Sequence, residues 1–394
     1  MRRLMGLQAC ARFSVFFLGL LLMTGSRAMA KEVVTIAFIG PLTGGTSNIG
    51  LGGRNSAELA VHLRNQDPHS KYQYRLVSYD DECKPDIGVQ VATKVGADRS
   101  VSAAIAHYCS AVAMATVGVF HKFGLPMITF TAIAPEITDA HNYIEINRII
   151  GSAIDQNRIG PAFMRKLGYK TWAVIHDTTA FGVSNDKYFT EYLAKDGGKI
   201  LANFGVSPDQ QDFTTELTKI KQLNPQVVYL ETLDPVGIRV RLQMHKLGID
   251  SQFDSGSGVW SADFIKNLGS IAEGALSRRI GKPVEELPEG KMFLAEYAAQ
   301  HFNQPADVWG QYSFAEANLL MDVIEKTGPG RRKIAQALRQ TKDHPTLIGN
   351  VTFNDHGQNI NDTADVMVVQ DGKWIVWDRS DYATGKRKLK RLGQ

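Results

Sequence analysis

Short β-forming runs alternate with helical patterns along most of the chain, and that alternation leaves few folds open. Val33–Ile39 (VVTIAFI) is apolar and β-rich, and the segment Leu51–Asn65 carries Leu51, Ala57, Leu59, Ala60 and Leu63 at helical spacing. The unit recurs, with strands at Tyr72–Tyr79, Val101–Ala106, Met127–Phe130 and Tyr143–Asn147 and helices at Pro85–Ala97 and after Ser110. Pro85 suits a first helical turn, and Gly124-Leu-Pro126 stops the second helix. Around Gly151 the pattern restarts with a helix at Asp155–Leu167, then strands at Thr171–His176, Lys199–Phe204 and Val227–Leu230. Helices to Ala194, at Phe213–Leu223 and at Val236–Leu247 separate them. Two successive α/β units predict two doubly wound parallel sheets, with ligand chemistry at strand carboxyl ends and a cleft between the lobes.

The last third is more helical, with helices at Lys291–His301, Trp309–Lys326 and Arg332–Gln340. Strands follow at Val351–Phe353, Val366–Gln370 and Trp374–Trp377, the last two joined by the hairpin signal Asp371-Gly372. Lys386, Arg387, Lys388, Lys390 and Arg391 form a basic tail over 381–394, expected as a solvated, frayed terminus rather than a membrane or partner contact.

Residues 1–30 read as a secretory leader. Arg2, Arg3 and Arg12 precede the apolar run Phe13–Met23, and Ala28-Met29-Ala30 is a small-x-small site that predicts cleavage after Ala30. The run is too short to span a bilayer as a helix, so export is expected. The four Arg of this leader account for the whole +4 formal charge, and a mature chain without charge excess offers nucleic acid no basic surface. Cys10 leaves with the leader. Cys83 and Cys109 remain as an even pair in an oxidising compartment, which favours a disulfide over a metal or redox pair.

One stretch concentrates the interest. Ile105-Ala-His-Tyr-Cys-Ser110 joins an apolar strand directly to a helical pattern, with Tyr108, Cys109 and Ser110 at the junction. A strand that turns straight into a helix aims free N–H groups beyond the sheet edge, where a carboxylate can bind. A plain capped helix start fits the same residues. The Gly-rich loop Gly40–Gly50 likewise fits either a ligand cradle or a turn, and it lacks the G-x-G-x-x-G of dinucleotide sites. No nucleophile elbow, H-E-x-x-H, Walker A or EF-hand loop occurs. His176-Asp177 sits at a strand end, where neighbours face opposite ways and cannot form a dyad, and Asp80-Asp81-Glu82 reads as a solvated turn. Neither catalysis nor a cofactor or metal is implied.

The chain resembles the periplasmic substrate-binding proteins of branched-chain amino acid ABC transporters, the leucine/isoleucine/valine-binding family with its type-1 periplasmic binding fold. The likeness is carried by Ile39-Gly-Pro-Leu-Thr-Gly44, Tyr79-Asp-Asp-Glu-Cys83 with Ala106-His-Tyr-Cys-Ser110, Pro135-Glu136-Ile-Thr138, Ile175-His-Asp177 with Phe181-Gly182, and Ala272-Glu-Gly274. It spans nearly all of residues 31–380. It implies three crossovers between lobes, lobe one at 31–150 plus 279–355 and lobe two at 151–278 plus 356–380, closing over ligand by hinge motion.

The resemblance also implies a ligand set. Ser110 and the region of Thr131 would hold a carboxylate, with Tyr108 and Cys109 adjoining. Ile133 stands where relatives carry a hydroxyl. Phe181 keeps an aromatic wall that Ile49 departs from, and Leu233 replaces another aromatic. Ser257 stands where amino-acid binders place an acid for the ligand's ammonium. Glu231, Asp234 or Asp254 would have to substitute, or the ligand lacks an α-ammonium. The expected function is capture of a small carboxylate, a branched-chain amino acid or a related amino, aromatic or keto acid. A monomer would deliver it to an inner-membrane ABC permease with its ATPase. A sensory module for a membrane receptor and a secreted α/β hydrolase are the competing readings.

Overall fold

In a computed structural model, residues 31–392 are described apart from Asp307 and Asp362, so the expected leader lies outside the described residues. The first half runs β1 (Glu32–Gly40), α1 (Ser47–Gln66), β2 (Tyr72–Asp80), α2 (Pro85–Ala97), β3 (Val101–Ala106), α3 (Ser110–Phe123), β4 (Met127–Ile128), α4 (Glu136–Asp139) and β5 (Ile146–Asn147). The second unit is α5 (Ala153–Lys166), β6 (Thr171–Asp177), α6 (Ala180–Lys195), β7 (Lys199–Val206), α7 (Thr214–Leu223), β8 (Val227–Glu231), α8 (Asp234–Lys246), β9 (Gln252–Ser255) and α9 (Ala262–Leu268). The remainder is β10 (Leu276–Ile280), α10 (Gly290–Ala299), α11 (Gly310–Thr327), α12 (Arg331–Arg339), β11 (His344–Thr346), β12 (Gly349–Val351), β13 (Ala364–Gln370) and β14 (Lys373–Val376).

Two parallel sheets organise these elements, in the orders β2-β1-β3-β4-β5 and β7-β6-β8-β9. In each the first strand of the unit is flanked on both sides, which creates a switch point where helices leave in opposite directions. β3 is buried along its whole length, as a central strand covered on both faces must be. α11 packs along α1 on the first sheet. β10, β13 and β14 form an antiparallel sheet whose Leu276, Val366 and Val368 share a core with Trp172 and Tyr229 of the second. Ile150, Ile280 and Phe353 lie in the first core, while Met164, Leu276 and Val366 lie in the second. The β13–β14 hairpin turns at Asp371 and Gly372, with φ of 52° and 72°, the type I′ pattern that the Asp-Gly pair favours.

The structure departs from the sequence reading in identifiable places. β9 lay hidden because Gln252, Asp254 and Ser255 are polar, yet all its residues are buried. Their partners come from distant segments: Arg278 binds Asp254, and Gly274 O accepts from Gln252. β4 stops at Ile128, and Thr131 soon reverses the chain with φ 60°. α1 begins at Ser47 instead of Leu51. Asp81 is no solvated turn residue: it is fully buried and pairs with His107 Nδ1 at 2.7 Å.

The basic tail is docked instead of frayed. Arg387 bonds Glu273 at 2.7 Å and Asp371 at 2.8 Å, Tyr169 donates to Lys390 O at 2.6 Å, and Leu389 is buried. Glu273 and Asp250, both remote in sequence, are among the acids its charges meet.

Candidate functional site

The junction after β3 is built from the strand's last buried residue and the start of α3. Cys109, in extended conformation, is the N-cap, and the first intrahelical bonds run from Val112 N and Ala113 N to Cys109 O. The N–H groups of Ser110 and Ala111 therefore precede the helical ladder and point outward from it. Ser110 Oγ accepts from Ala134 N at 3.3 Å, which leaves its own proton to donate. Thr131 Oγ1 is buried with no hydrogen-bond partner among the described residues. Cys83 and Cys109 form a disulfide with Cα atoms 5.5 Å apart, which decides between the readings left open for this pair.

These groups face a cavity between the lobes. Cys83, Tyr108, Cys109, Ser110, Ala111, Thr131 and Ile133 line it from the first lobe, and Thr179, Phe181, Leu233, Ser257 and Gly258 from the second, with Trp309 completing the wall. Among the described residues, none of the lining side chains is an acid or a base. Four helices begin at the cavity: α3 at Ser110, α6 after its N-cap Thr179, α8 after its N-cap Leu233, and α11 after its N-cap Trp309. Each contributes the partial positive charge of a helix N-terminus, so the electrostatics favour an anion. Tyr108, Phe181 and Trp309 supply aromatic surface for an apolar body.

The chain matches the model of the periplasmic binding protein family over residues 33–373. It belongs to that family. This periplasmic binding protein is 29% identical over 337 residues to a leucine-, isoleucine-, valine-, threonine- and alanine-binding protein of Pseudomonas aeruginosa, covering 84% of this chain and 88% of that one. Its fold matches a branched-chain amino acid transporter substrate-binding protein from Streptococcus pneumoniae in complex with isoleucine. The TM-score there is 0.79 and the identity 21%, over 87% of this chain and 98% of that one. It matches equally a solute-binding protein of an ABC transporter from R. palustris in complex with benzoate, with TM-score 0.79 and 18% identity over 88% of this chain and 95% of that one.

Within the binding protein, Tyr108, Cys109, Ser110, Thr131, Ile133, Phe181, Leu233 and Ser257 come together at the cavity. Two candidates do not. Ile49 lies in the first turn of α1, 1% exposed in the same apolar cluster as Tyr108 and Phe181, and does not line the cavity. Glu231 ends β8 inside the second lobe, fully buried behind the cavity wall, where it is hydrogen-bonded to Tyr229. Burial raises its pKa to about 8, against the opposing pull of the Tyr229 hydrogen bond and Arg278. Asp254 is committed to Arg278, and Asp234 accepts from Ser261 at 3.0 Å. Glu231, Asp234 and Asp254 thus all lie outside the cavity lining.

Trp309, Thr179, Ala111, Gly258 and Cys83 are wall residues that the sequence reading passed over. Ala111 and Thr179 adjoin junctions already singled out, and the strand-helix rule extended by one residue would have included them. Trp309 reads only as a helix start, and no local signal tells that α11 opens at the cleft.

Proposed function

We propose that this periplasmic binding protein captures a small carboxylate without an α-ammonium, an aromatic, aliphatic or keto acid, and hands it to an inner-membrane ABC permease with its ATPase. The observation that carries the reading is a cavity with no charged side chain among its described lining residues, onto which four helix N-termini open. The carboxylate sits against the N–H groups of Ser110 and Ala111 and the hydroxyls of Ser110 and Thr131. The body lies among Tyr108, Phe181, Trp309, Leu233 and Ile133, with Ser257 at the far side. An ammonium in this place would lose its hydration without gaining a countercharge, at a cost of several kcal/mol. The fold neighbour that holds benzoate is consistent with such a ligand, and the amino-acid-binding relatives are consistent with the carboxylate end. Export follows leader cleavage after Ala30, the mature protein acts as a monomer without catalysis, and lobe closure sequesters the ligand.

Calorimetry of the mature protein with benzoate, 4-methyl-2-oxopentanoate and leucine tests this. The two acids without ammonium should bind at least about tenfold tighter than leucine, a difference of about 1.4 kcal/mol. Leucine binding as tight as the best of them overturns the ligand class. Mass spectrometry of small molecules released on denaturation identifies the natural ligand independently.

A further inference from the structure

The second lobe holds a chain of fully buried polar side chains that the ligand cavity does not use directly. Glu231, Tyr229, Asn157, Asn185 and Gln156 are each at most 1% exposed. The Tyr229 hydroxyl is within hydrogen-bonding distance of both Glu231 Oε1 and Asn157 Oδ1, the latter at 3.1 Å. Asn157 Nδ2 donates to Asn185 Oδ1 at 3.1 Å, and Gln156 Nε2 donates to the same oxygen at 2.5 Å. The two far ends reach the cavity wall. Gln156 Oε1 accepts from Ser257 N at 2.9 Å, and Asn185 Nδ2 donates to Phe181 O at 2.9 Å.

Counting protons gives this chain a direction. Asn157 donates through its amide to Asn185, so its Oδ1 must accept from Tyr229. A phenol has one proton, so Tyr229 then has none for Glu231. The Glu231–Tyr229 bond is satisfied only if Glu231 carries a proton and donates it. The other carboxyl oxygen, Oε2, has no partner among the described residues and abuts Gly256, where a Cβ would collide with it. Gly256 precedes the cavity residue Ser257. The surroundings agree with a neutral carboxyl. Arg278 is engaged bidentately by Asp254, and Asp186, itself 3.9 Å from His176, adds further negative charge.

We propose that protonated Glu231 is a positioning residue for the ligand cavity: its proton orients the Tyr229–Asn157–Asn185–Gln156 relay that sets Ser257 and the Phe181 backbone. When Glu231 ionises, Tyr229 turns its proton to the carboxylate, Asn157 Oδ1 loses its donor, and the relay must rearrange at its cavity ends. The ligand site becomes sensitive to a proton that never touches ligand.

The proposal rests on the cavity assignment above but not on the ligand's identity, and its test needs no ligand. Backbone resonances of Ser257 and Phe181 are followed by NMR in deuterated, 15N-labelled mature protein, with the Glu231 carboxyl carbon in parallel. At pH 6.5 the Glu231 carbon should sit at the protonated position. Both amides should titrate with it, with a midpoint near pH 8. Glu231→Gln, whose carboxamide can still donate to Tyr229, should keep both amides at their low-pH positions at every pH, whereas Glu231→Ala should displace them. Tyr229→Phe serves as a second variant that cuts the relay and leaves the carboxyl, and there the amides should no longer follow Glu231. An ionised Glu231 at pH 6.5 overturns the proposal, as do equal effects of the Gln and Ala replacements or amides that follow Glu231 unchanged in Tyr229→Phe. Failure here leaves the calorimetric ranking of ligands unaffected, and a failed ranking leaves this coupling intact.

Discussion

Arg278 grips both carboxylate oxygens of Asp254, at 2.7 and 2.8 Å, and neither side chain is exposed to solvent. The pair joins β10 to β9, and Gly160 of α5 lies so close that a Cβ there would approach Arg278 Nε to 2.5 Å. It fixes the edge strand beside the cavity, and Asp254 is not among the residues that line that cavity. Removing one partner leaves the other charge buried and alone. Asp254→Asn should therefore cost about 3–5 kcal/mol of stability, read from urea unfolding midpoints. A loss confined to ligand affinity with unchanged stability would return Asp254 to the binding site.

Glu316 of α11 is fully buried, and neither carboxyl oxygen has a hydrogen-bond partner among the described residues. Burial raises its pKa well above the ordinary carboxylate value. The unfolded chain ionises near the ordinary value and the folded one resists, so this contribution is complete below about pH 4.5 and is lost as pH rises towards the raised folded value. Unfolding free energy should fall between pH 5 and pH 8. Glu316→Met should flatten that slope and raise stability at pH 8 by about 1–3 kcal/mol, by removing an unpaired buried polar group. Paired denaturation curves at the two pH values decide it.

The disulfide spans a sequence separation of 26 and places both cysteines in the cavity wall. Cys83→Ser with Cys109→Ser should lower stability by roughly 3–4 kcal/mol, from the entropy restored to the unfolded chain. Calorimetric melting of the oxidised, reduced and double-Ser forms should place the last two together. Ligand affinity should fall as well, since the N-cap of α3 is itself tethered.

Ser257→Asp would introduce an acid on the second-lobe wall, opposite the α3 N-terminus. Leucine affinity should rise by about tenfold or more, and benzoate affinity should fall as like charges meet. Titration calorimetry with both ligands reads the switch. A Ser257→Asp protein that remains folded and indifferent to leucine would place the amino end of such ligands elsewhere.

Arg387 clamps the C-terminal segment to Glu273 and Asp371. Arg387→Ala should make Lys386, Lys388 and Lys390 markedly faster trypsin sites, while the rest of the chain stays resistant. Time-resolved mass spectrometry of the digest measures this.

The α/β alternation was legible because each strand or helix is encoded by a local period, and β3, α2 and the β13–β14 hairpin stand close to where the residues place them. The strand-helix junction at Tyr108–Ser110 was legible for the same reason. Local reading failed where polarity was answered at a distance. Gln252-Phe-Asp-Ser255 carries no strand signature, because its burial depends on Arg278 and Gly274. The basic tail read as solvent-seeking, because Glu273 lies 114 residues before Arg387.

By itself the sequence determined two doubly wound lobes and the strand-helix junction at Tyr108–Ser110, since both follow from periodicity and chain-local geometry, and it favoured the disulfide that the structure then showed. Only the tertiary structure decided what the cavity contains. It turned Ile49 into the core, closed Asp254 onto Arg278, and placed Glu231 behind the wall on Tyr229, while it brought Trp309 to the cleft. Burial and charge pairing are settled by side chains that meet across long sequence separations. Which acid faces the ligand was therefore a matter of packing, and none does among the lining residues.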